Sequence, residues 1–305
     1  MKRLAWAAGY HADIGPHVFP LSKFERVREA LVRDGRAAAG DFHEPGPVSD
    51  EDALRVHTPR YWDRVLRGFD ALDEARLEMR YTPELAAAFR AMAGGSIHAA
   101  RAAVEHGFGA NLGGGFHHAF PDHGEGFCMV HDVAIALRNA QAEGRIKKAV
   151  VVDTDVHQGN GTAEVFTGDS SVFTFSIHQE RNYPTPKAVS DLDVGLDDGA
   201  EGAEYLALLG RHTNEILDRE QPDLVAYVAG TDPYREDQLG GLGLSMDDIA
   251  ARDRLVMEAA RLRNIPLFVT FAGGYARRLE DTVRMHARTV ALGLEIWPAG
   301  AGAKR

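Results

Sequence analysis

Apolar residues cluster in short runs, rich in β-branched and aromatic side chains, that are separated by polar or glycine-rich turns. Runs of this length and composition are typical of strands buried on both faces of a parallel sheet. The predicted strands cover residues 148–155, 172–177, 223–229 and 267–272, and a further candidate strand precedes Gly113.

Between these runs, hydrophobic positions recur every three or four residues, which is the spacing of one face of a helix. Several of the segments follow a Ser, Thr or Asp that can cap a helix N-terminus. The predicted helices cover residues 23–33, 84–106, 129–143, 202–220 and 247–263. The alternation of strand and helix predicts an α/β fold with a doubly wound sheet.

Two segments lie outside this alternation. The acidic stretch from Asp191 to Glu204 is predicted to be a solvated turn that leads into a helix. The opening residues, Met1 to Tyr10, are interpreted as a first buried strand, because their apolar run is too short for a secretory signal. Since no repeat or Ser/Pro-rich linker divides the chain, residues 1–305 are expected to form a single domain.

Composition narrows the possible functions. The 305 residues include 34 Lys and Arg against 45 Asp and Glu, giving a formal net charge of −11. This acidity argues against direct binding to nucleic acids or anionic membranes, which require a surplus of basic residues. No apolar stretch reaches the about 18 residues of a membrane span, and the single Cys128 allows no intramolecular disulfide. A cytoplasmic location is expected, whereas the oligomeric state is left open.

Glycine and polar residues follow five of the predicted strands. In open α/β sheets, the carboxyl ends of the strands line the crevice that binds ligands. The five segments are Gly113 to His118, Asp153 to His157, Ser176 to His178, Ala229 to Asp232 and Gly273 to Tyr275. Their side chains are therefore expected to meet in one crevice.

One of these segments has the pattern of a metal site. Asp153, Asp155 and His157 are spaced two residues apart, so their side chains would face the same way on an extended strand. Carboxylate and imidazole ligands suit Zn²⁺ or Fe²⁺, and Asp232 offers a third ligand from another strand end. Three protein ligands would leave room for water and substrate. The alternative is that the carboxylates cap turns and that His157 packs in the core.

Two further segments offer groups that could assist hydrolysis. His118, or its neighbour His117, could act as a general base beside a metal-activated water. Tyr275 could donate a hydrogen bond to a developing oxyanion. The alternatives are a surface histidine pair and a packed tyrosine.

The remaining candidate signals are weak. The glycines at 113–115 lack the Gly-x-Gly-x-x-Gly spacing of a dinucleotide site. Cys128 has no nucleophile signature around it and is expected to be a small buried residue. The histidines without metal-ligand spacing are expected to pack or to face solvent: His11, His17, His43, His57 and His98.

Together, these motifs resemble the histone deacetylase family of metal-dependent amidohydrolases, from about residue 10 to 292. Two more segments fit the family's order, Gly124-Glu125-Gly126-Phe127-Cys128 and Gly230-Thr231-Asp232-Pro233. The resemblance implies a three-layer α/β/α fold of the arginase type around a central, mainly parallel sheet. The segment His157-Gln158-Gly159-Asn160-Gly161 is similar to the class IV branch.

The resemblance also implies a metal and its ligands. Asp155, His157 and Asp232 would bind Zn²⁺, with Fe²⁺ as the other candidate ion. A structural monovalent cation, usually K⁺, would lie against Asp153, Asp155, His157, Ser176 and Ile177.

Catalytic roles follow from the same resemblance. Tyr275 would polarise the substrate carbonyl, and His118 would act as general base and acid. His117, oriented by Asp153, would stabilise charge. Asn160 occupies the place of the Asp that supports His118 in class I enzymes, and it contributes no charge to the histidine.

The substrate site is implied by the resemblance as well. Phe127 and Tyr183 would line a tunnel for the acyl-lysine, and the carbonyl of Gly126 would face the substrate. Leu239 stands where polyamine deacetylases carry a gatekeeper Glu, and Glu236 replaces a usual Gly.

The expected reaction is hydrolysis of an acylated amine, foremost Nε-acyl-lysine carrying an acetyl or longer group. A small acylated metabolite or polyamine is the alternative substrate, and a non-catalytic binding protein of the same fold is the third hypothesis. A two-metal ureohydrolase is disfavoured, because Gly159 stands where a bridging Asp would be needed.

Overall fold

The central element of the fold is an eight-stranded sheet in the computed structural model, which describes residues 1–298. The strands are β1 (Leu4–Ala5), β2 (Phe42–His43), β3 (Phe108–Asn111), β4 (Ala149–Asp153), β5 (Val172–Gln179), β6 (Leu192–Leu196), β7 (Leu224–Val228) and β8 (Leu267–Thr270). Their order across the sheet is β2-β1-β3-β8-β7-β4-β5-β6, and every neighbouring pair is parallel.

Ten helices surround this sheet within residues 1–298. They are α1 (Lys23–Arg33), α2 (Asp50–Ala53), α3 (Pro59–Arg67), α4 (Ala71–Leu77), α5 (Pro83–His106), α6 (Asp132–Ala142), α7 (Asn160–Val165), α8 (Gly202–Glu220), α9 (Met246–Leu262) and α10 (Leu279–Ile296). α5 packs against α6 and β3, whereas α1, α10, α9 and α8 form a series of packed neighbours. The predicted three-layer α/β/α architecture is confirmed.

Local sequence signals explain the helix boundaries. The side chain of Thr82 accepts a hydrogen bond from the N–H of Leu85, Pro83 occupies the first turn of α5, and Gly107 ends the helix in the left-handed region. Ser245 and Asp248 form a reciprocal capping box at the start of α9. The five predicted helices are therefore confirmed to within a few residues at each end.

Some segments differ from the prediction. The stretch from Asp191 to Glu204 is not simply a turn, because Leu192–Leu196 forms the edge strand β6 with alternately exposed side chains. The first strand is shorter than expected, since only Leu4–Ala5 is extended and a 3₁₀ turn follows at Ala8–Tyr10. Within residues 1–298, no helix has both the length and the hydropathy of a membrane span.

The topology brings the functional segments together. β3, β8, β7, β4 and β5 are five consecutive neighbours in the sheet. Because all five strands are parallel, the polar segments that follow them emerge at the same edge. The expected convergence of five strand ends is therefore a property of the fold.

Candidate active site

The segment after β4 places two carboxylates and an imidazole close together through tight turns. β4 ends at Asp153, so strand alternation does not extend to the next two residues. Instead, the N–H of Asp155 donates to Oδ1 of Asp153 (3.1 Å), and the N–H of His157 donates to Oδ1 of Asp155 (3.0 Å). The two-residue spacing therefore works through side-chain-to-backbone turns rather than through an extended strand.

Asp232 completes a buried cluster at this sheet edge. Asp155, His157 and Asp232 each offer a ligand atom, and the three atoms lie within 4.8 Å of one another. Oδ1 of Asp232 accepts the N–H of Val156 (2.8 Å). Oδ2 lies 3.4 Å from Nδ1 of His157 and makes no well-formed hydrogen bond within the described residues. A buried carboxylate oxygen without a partner is costly unless a cation binds it.

Glycines leave space for this cluster. A Cβ on Gly273 would lie 1.9 Å from Oδ2 of Asp232, and a Cβ on Gly230 would lie 2.4 Å from Oδ2 of Asp155. The N–H of Gly273 donates to that Asp155 oxygen at 2.7 Å. The unpartnered oxygen, the donor types and the glycine-lined space together fit a divalent metal ion.

The histidine pair is held by a glycine-rich turn after β3. Gly114 and Gly115 adopt positive φ angles of 72° and 82°. The turn is fixed by the buried carboxylate of Asp132, which accepts the N–H groups of Gly115 (3.0 Å) and Phe116 (2.8 Å). This arrangement brings Nε2 of His117 to 3.7 Å from Oδ1 of Asp155, and the ring of His118 to 6.0 Å from the ring of His157.

Each histidine has a different partner behind it. Nδ1 of His117 lies 2.6 Å from Oδ2 of Asp153, and Nδ1 of His118 lies 2.7 Å from Oδ1 of Asn160. Burial lowers the pKa of His117, but the carboxylates of Asp153 and Asp155 outweigh this effect and raise the pKa to about 9. Burial and the charges of His117 and His157 lower the pKa of His118 well below its ordinary value. His118 is therefore the neutral imidazole of the pair.

Tyr275 lies in a braced segment after β8. Its N–H donates to Oδ2 of the buried Asp237 (2.7 Å), and the ammonium of Lys23 donates to the carbonyl of Ala272 (2.7 Å). Burial, followed by the charges of Asp155 and Asp232, raises the pKa of Tyr275 well above its ordinary value. The phenol is therefore protonated and able to donate a hydrogen bond.

Aromatic side chains surround the entrance to the site. The rings of Phe19 and Phe127 stack at 6.1 Å, and the Tyr275 ring lies 6.0 Å from Phe127. Tyr183 packs edge-on against His118 at 4.8 Å. A Cβ on Gly126 would lie 2.8 Å from His118 and 2.9 Å from Tyr183, so no side chain fits between them.

The cavity at the base of the site is small, about 20 Å³. Its lining residues are Phe19, Gly115, Phe116, His117, His118, Gly126, Phe127, Cys128, His157, Ala272, Gly273 and Tyr275. Cys128 is buried as expected, and burial raises the pKa of its thiol well above the ordinary value.

The other predicted site residues lie nearby. Ser176 on β5 pairs with Asp153 on β4, and its hydroxyl lies 2.9 Å from Nδ1 of His178. The next residue, Ile177, is fully buried. Leu239 is half-buried, and its carbonyl accepts a hydrogen bond from Nδ2 of Asn182 (2.8 Å).

Comparison with known proteins places this site in a family. The model of the histone deacetylase domain matches residues 17–290. The chain belongs to the histone deacetylase family. Like the deacetylases and amidohydrolases of this family, it is a hydrolase that acts on amide bonds.

Relatives in several organisms support this membership. Histone deacetylase 2 of Arabidopsis thaliana is 33% identical over 89% of this chain and 74% of its own length. A histone deacetylase-like amidohydrolase of Pseudomonas aeruginosa is 29% identical over 82% of this chain and 70% of its own length. An uncharacterized protein of a Picosynechococcus strain is 37% identical over 91% and 95% of the two chains.

A solved deacetylase domain shares the fold. The crystal structure of the HDA15 HD domain superposes with a TM-score of 0.77 and covers 99% of this chain and 92% of that domain, at 22% sequence identity. The arginase-like architecture implied by the sequence resemblance to histone deacetylases is thus confirmed.

Several residues of this deacetylase site were missed by the sequence reasoning. Phe19 lines the cavity, Lys23 and Asp237 brace the Tyr275 segment, and Glu125 accepts hydrogen bonds from Asn160 and Tyr183. Their partners are distant in sequence, so no local spacing marks them. The one local signal was Glu125 itself, which lies in a segment that carries the family resemblance.

Proposed function

We propose that this deacetylase-family enzyme removes acyl groups from Nε-acyl-lysine with the help of a divalent metal, foremost Zn²⁺. The observation that carries the proposal is the convergence of His117, His118 and Tyr275 on one cavity beside the Asp155–His157–Asp232 cluster. Hydrolysis of an unstrained amide requires a base, an acid and an oxyanion stabiliser, and these residues supply all three.

The metal ligands are proposed to be Asp155, His157 and Asp232. An ion bound there would supply Lewis-acid polarisation of the amide carbonyl and would lower the pKa of a neighbouring water. Zn²⁺ and Fe²⁺ both suit this donor set. K⁺ is proposed to bind beside Asp153, Asp155, His157, Ser176 and Ile177, where a monovalent charge would offset the buried carboxylates.

The protein groups act in sequence at the reacting amide. His118 accepts a proton from the attacking water at its Nε2, and the phenol of Tyr275 donates a hydrogen bond to the carbonyl oxygen as negative charge develops. His118 then gives its proton to the departing nitrogen. His117, held against Asp153 at 2.6 Å, stabilises the negative charge beside it.

The tunnel favours an acyl-lysine over a cationic polyamine. Phe19, Phe127 and Tyr183 form aromatic walls that match an alkyl chain, and Leu239 offers no carboxylate to a second ammonium. The cavity of about 20 Å³ has room for little more than one water, which favours a short acyl group over a long one. Acetyl-lysine is therefore the proposed substrate, and small acylated amines are the alternative.

We propose one catalytic domain over residues 1–305, of which residues 299–305 lie outside the described structure. A cytoplasmic location is proposed because Cys128, the single cysteine, is a buried free thiol. We also propose that the protein lies nearest to the class IV branch and that it does not bind nucleic acids directly.

A panel of substrates tests this proposal. Zn²⁺-loaded protein would be assayed with matched acetyl-, octanoyl- and myristoyl-lysine peptides and with acetylated polyamines, with Asp155→Ala as the blank. We expect turnover of the acetyl peptide to be the fastest and to vanish in the blank. Turnover of only the small amines would favour the alternative substrate class, and no turnover at all would favour a binding protein of the same fold.

A further inference from the structure

Asn160, which stands behind His118, is itself bound to a carboxylate. Its Nδ2 donates to Oε1 of Glu125 at 2.5 Å, while its Oδ1 lies 2.7 Å from Nδ1 of His118. The three side chains form a continuous chain of hydrogen bonds from Glu125 to the imidazole. The neutral side chain of Asn160 therefore connects His118 to the negative charge of Glu125.

The contacts of Asn160 fix which amide atom faces which neighbour. The N–H of Gly161 donates to Oδ1 of Asn160 at 3.0 Å, so this atom must be the oxygen. The carboxylate of Glu125 accepts from the other atom, which must be the nitrogen. Since Oδ1 can only accept, Nδ1 of His118 carries the proton. The Nε2 of a neutral His118 then has the free lone pair that a general base needs.

Glu125 is held in place by a sharp turn. Gly126 and Phe127 both adopt positive φ angles, 52° and 64°, and the N–H of Cys128 donates to the carbonyl of Glu125 at 2.9 Å. The carboxylate is only 22% exposed. Burial raises the pKa of Glu125, but hydrogen bonds from His123, Tyr183 and Asn160 outweigh it and lower the pKa, so the group is ionised.

The same carboxylate also holds the tunnel wall. The phenol of Tyr183 donates to Oε1 of Glu125 at 2.7 Å, and the Tyr183 ring packs against His118. Nε2 of His123 lies 3.5 Å from Oε2 on the outer side. One side chain thus joins the support of His118 to the aromatic wall of the substrate tunnel.

We propose that Glu125 is a positioning residue that acts through Asn160 to hold His118 with its proton on Nδ1. It orients the Asn160 amide by accepting from Nδ2, and this leaves Oδ1 directed at the imidazole. The inference rests on the proposed function insofar as His118 is taken as the general base. The hydrogen-bond chain itself does not depend on the substrate.

Kinetics of matched variants test the role. Glu125→Ala is expected to lower kcat about 10-fold or more, because general base catalysis requires the correct tautomer, with a smaller change in KM. Glu125→Gln, which keeps an oxygen able to accept from Asn160, should recover most of the lost kcat. Glu164→Ala removes an exposed carboxylate from the same helix as Asn160 and should leave the rate unchanged.

A double-mutant cycle separates this role from general damage to the site. If Glu125 acts through Asn160, the Glu125→Ala/Asn160→Ala double variant should lose no more than about 3-fold beyond Asn160→Ala alone. If the decrease in kcat of the double variant equals the product of the decreases in the two single variants, the two residues act independently and the proposal is overturned. A Glu125→Ala protein with wild-type kcat would overturn it as well.

Histidine tautomers provide a measurement that needs no turnover. Nitrogen NMR of the Zn²⁺-loaded protein with ¹⁵N-labelled histidine, assigned with His118→Gln, reports which nitrogen of His118 is protonated. We expect the Nδ1–H form in the wild type and in Glu125→Gln, and its loss in Glu125→Ala. Retention of Nδ1–H in Glu125→Ala would refute the proposal. If the wild type hydrolysed no amide, the proposed function would fail, yet this result would still decide the role of Glu125.

Discussion

The phenol of Tyr275 lies in the cavity with His117 and His118 and is held in its protonated form by burial and by nearby carboxylates. Its backbone is fixed by Asp237, so the hydroxyl is positioned before substrate arrives. A fixed donor of this kind stabilises developing negative charge without the cost of reorganisation.

We predict that Tyr275→Phe lowers kcat by about 10²–10³ with little change in the affinity for Zn²⁺. The substitution keeps the ring contacts with Phe19 and Phe127 and removes only the hydrogen-bond donor. Steady-state kinetics and a metal titration of the same preparation would check both parts. A variant with bound metal and full turnover would show that the phenol does not stabilise the oxyanion.

At the residue scale, sequence identified the side chains that share a short segment or follow a strand. Asp155 and His157 were proposed as ligands from their spacing and Asp232 from its place after β7, and the structure brings the three side chains together. Glu125 was not assigned a role, because Asn160 is 35 positions away in the chain and reaches it only through folding. The positive φ angles of Gly126 and Phe127, which direct Glu125 inward, have no unambiguous sequence signature.

A buried ion pair at the end of the second turn of α9 contacts the backbone at two of the strand ends. Arg252 and Asp253 are 0% and 1% exposed and are 2.7 Å apart. The guanidinium donates to the carbonyl of Thr154, between Asp153 and Asp155, and to the carbonyl of Gly230, two residues before Asp232. A single helix side chain therefore connects the β4 and β7 segments that carry the proposed ligands.

We predict that Arg252→Met lowers the free energy of unfolding by about 3–5 kcal/mol, because the buried Asp253 would lose its guanidinium partner and keep only the hydroxyl donors Tyr227 and Thr289. Arg254→Met is the matched control on the same helix, where an exposed ion pair with Glu258 contributes less than about 1 kcal/mol. Urea denaturation of the two variants gives the comparison. Equal, small decreases in the unfolding free energy of both variants would mean that solvent reaches Asp253 and that the Arg252–Asp253 ion pair contributes little to stability.

At the element scale, helix boundaries with strong capping signals could be predicted. Helices and strands whose buried face mixes polar and apolar residues could not. α10 was not predicted, because its buried face includes the polar residues Thr282, His286 and Thr289, which weaken the apolar periodicity. β6 was taken for a turn because Asp193 and Gly195 interrupt a strand whose one face is solvated.

Considered as a whole, the molecule buries imidazoles in neutral form that are not among the proposed ligands. Burial lowers the pKa of His57 and of His98 to about 4. The unfolded chain binds protons at these groups near pH 6.5, whereas the folded chain does not. Their contribution to stability is therefore present above about pH 6.5 and is lost as the pH falls toward 4.

We predict that the free energy of unfolding falls between pH 7 and pH 5, by on the order of 1–2 kcal/mol for each of the two histidines. Urea denaturation across this range would measure the slope. A His98→Gln variant should show a shallower slope than the wild type. An unchanged unfolding free energy over the range would indicate that these imidazoles protonate in the folded chain.

The fold class and the family could be predicted because each motif directly follows a strand with a clear sequence pattern. The five strands concerned are neighbours in one sheet, so the motifs also lie together in space. The depth and width of the substrate cavity did not follow, since they depend on packing between Phe19, Phe127 and Ala272 from distant parts of the chain. The shape of the substrate cavity is thus the property that the sequence predicts least well.

The most direct test of the account is the hydrolysis of an acetyl-lysine peptide by chelator-stripped protein as Zn²⁺ is titrated back. We predict no turnover without metal, and recovery that saturates at about one ion per chain, as expected for a single three-ligand catalytic site. Asp155→Ala should show no recovery. Full turnover by the stripped protein, or Zn²⁺-dependent recovery in Asp155→Ala, would contradict a catalytic metal at Asp155, His157 and Asp232.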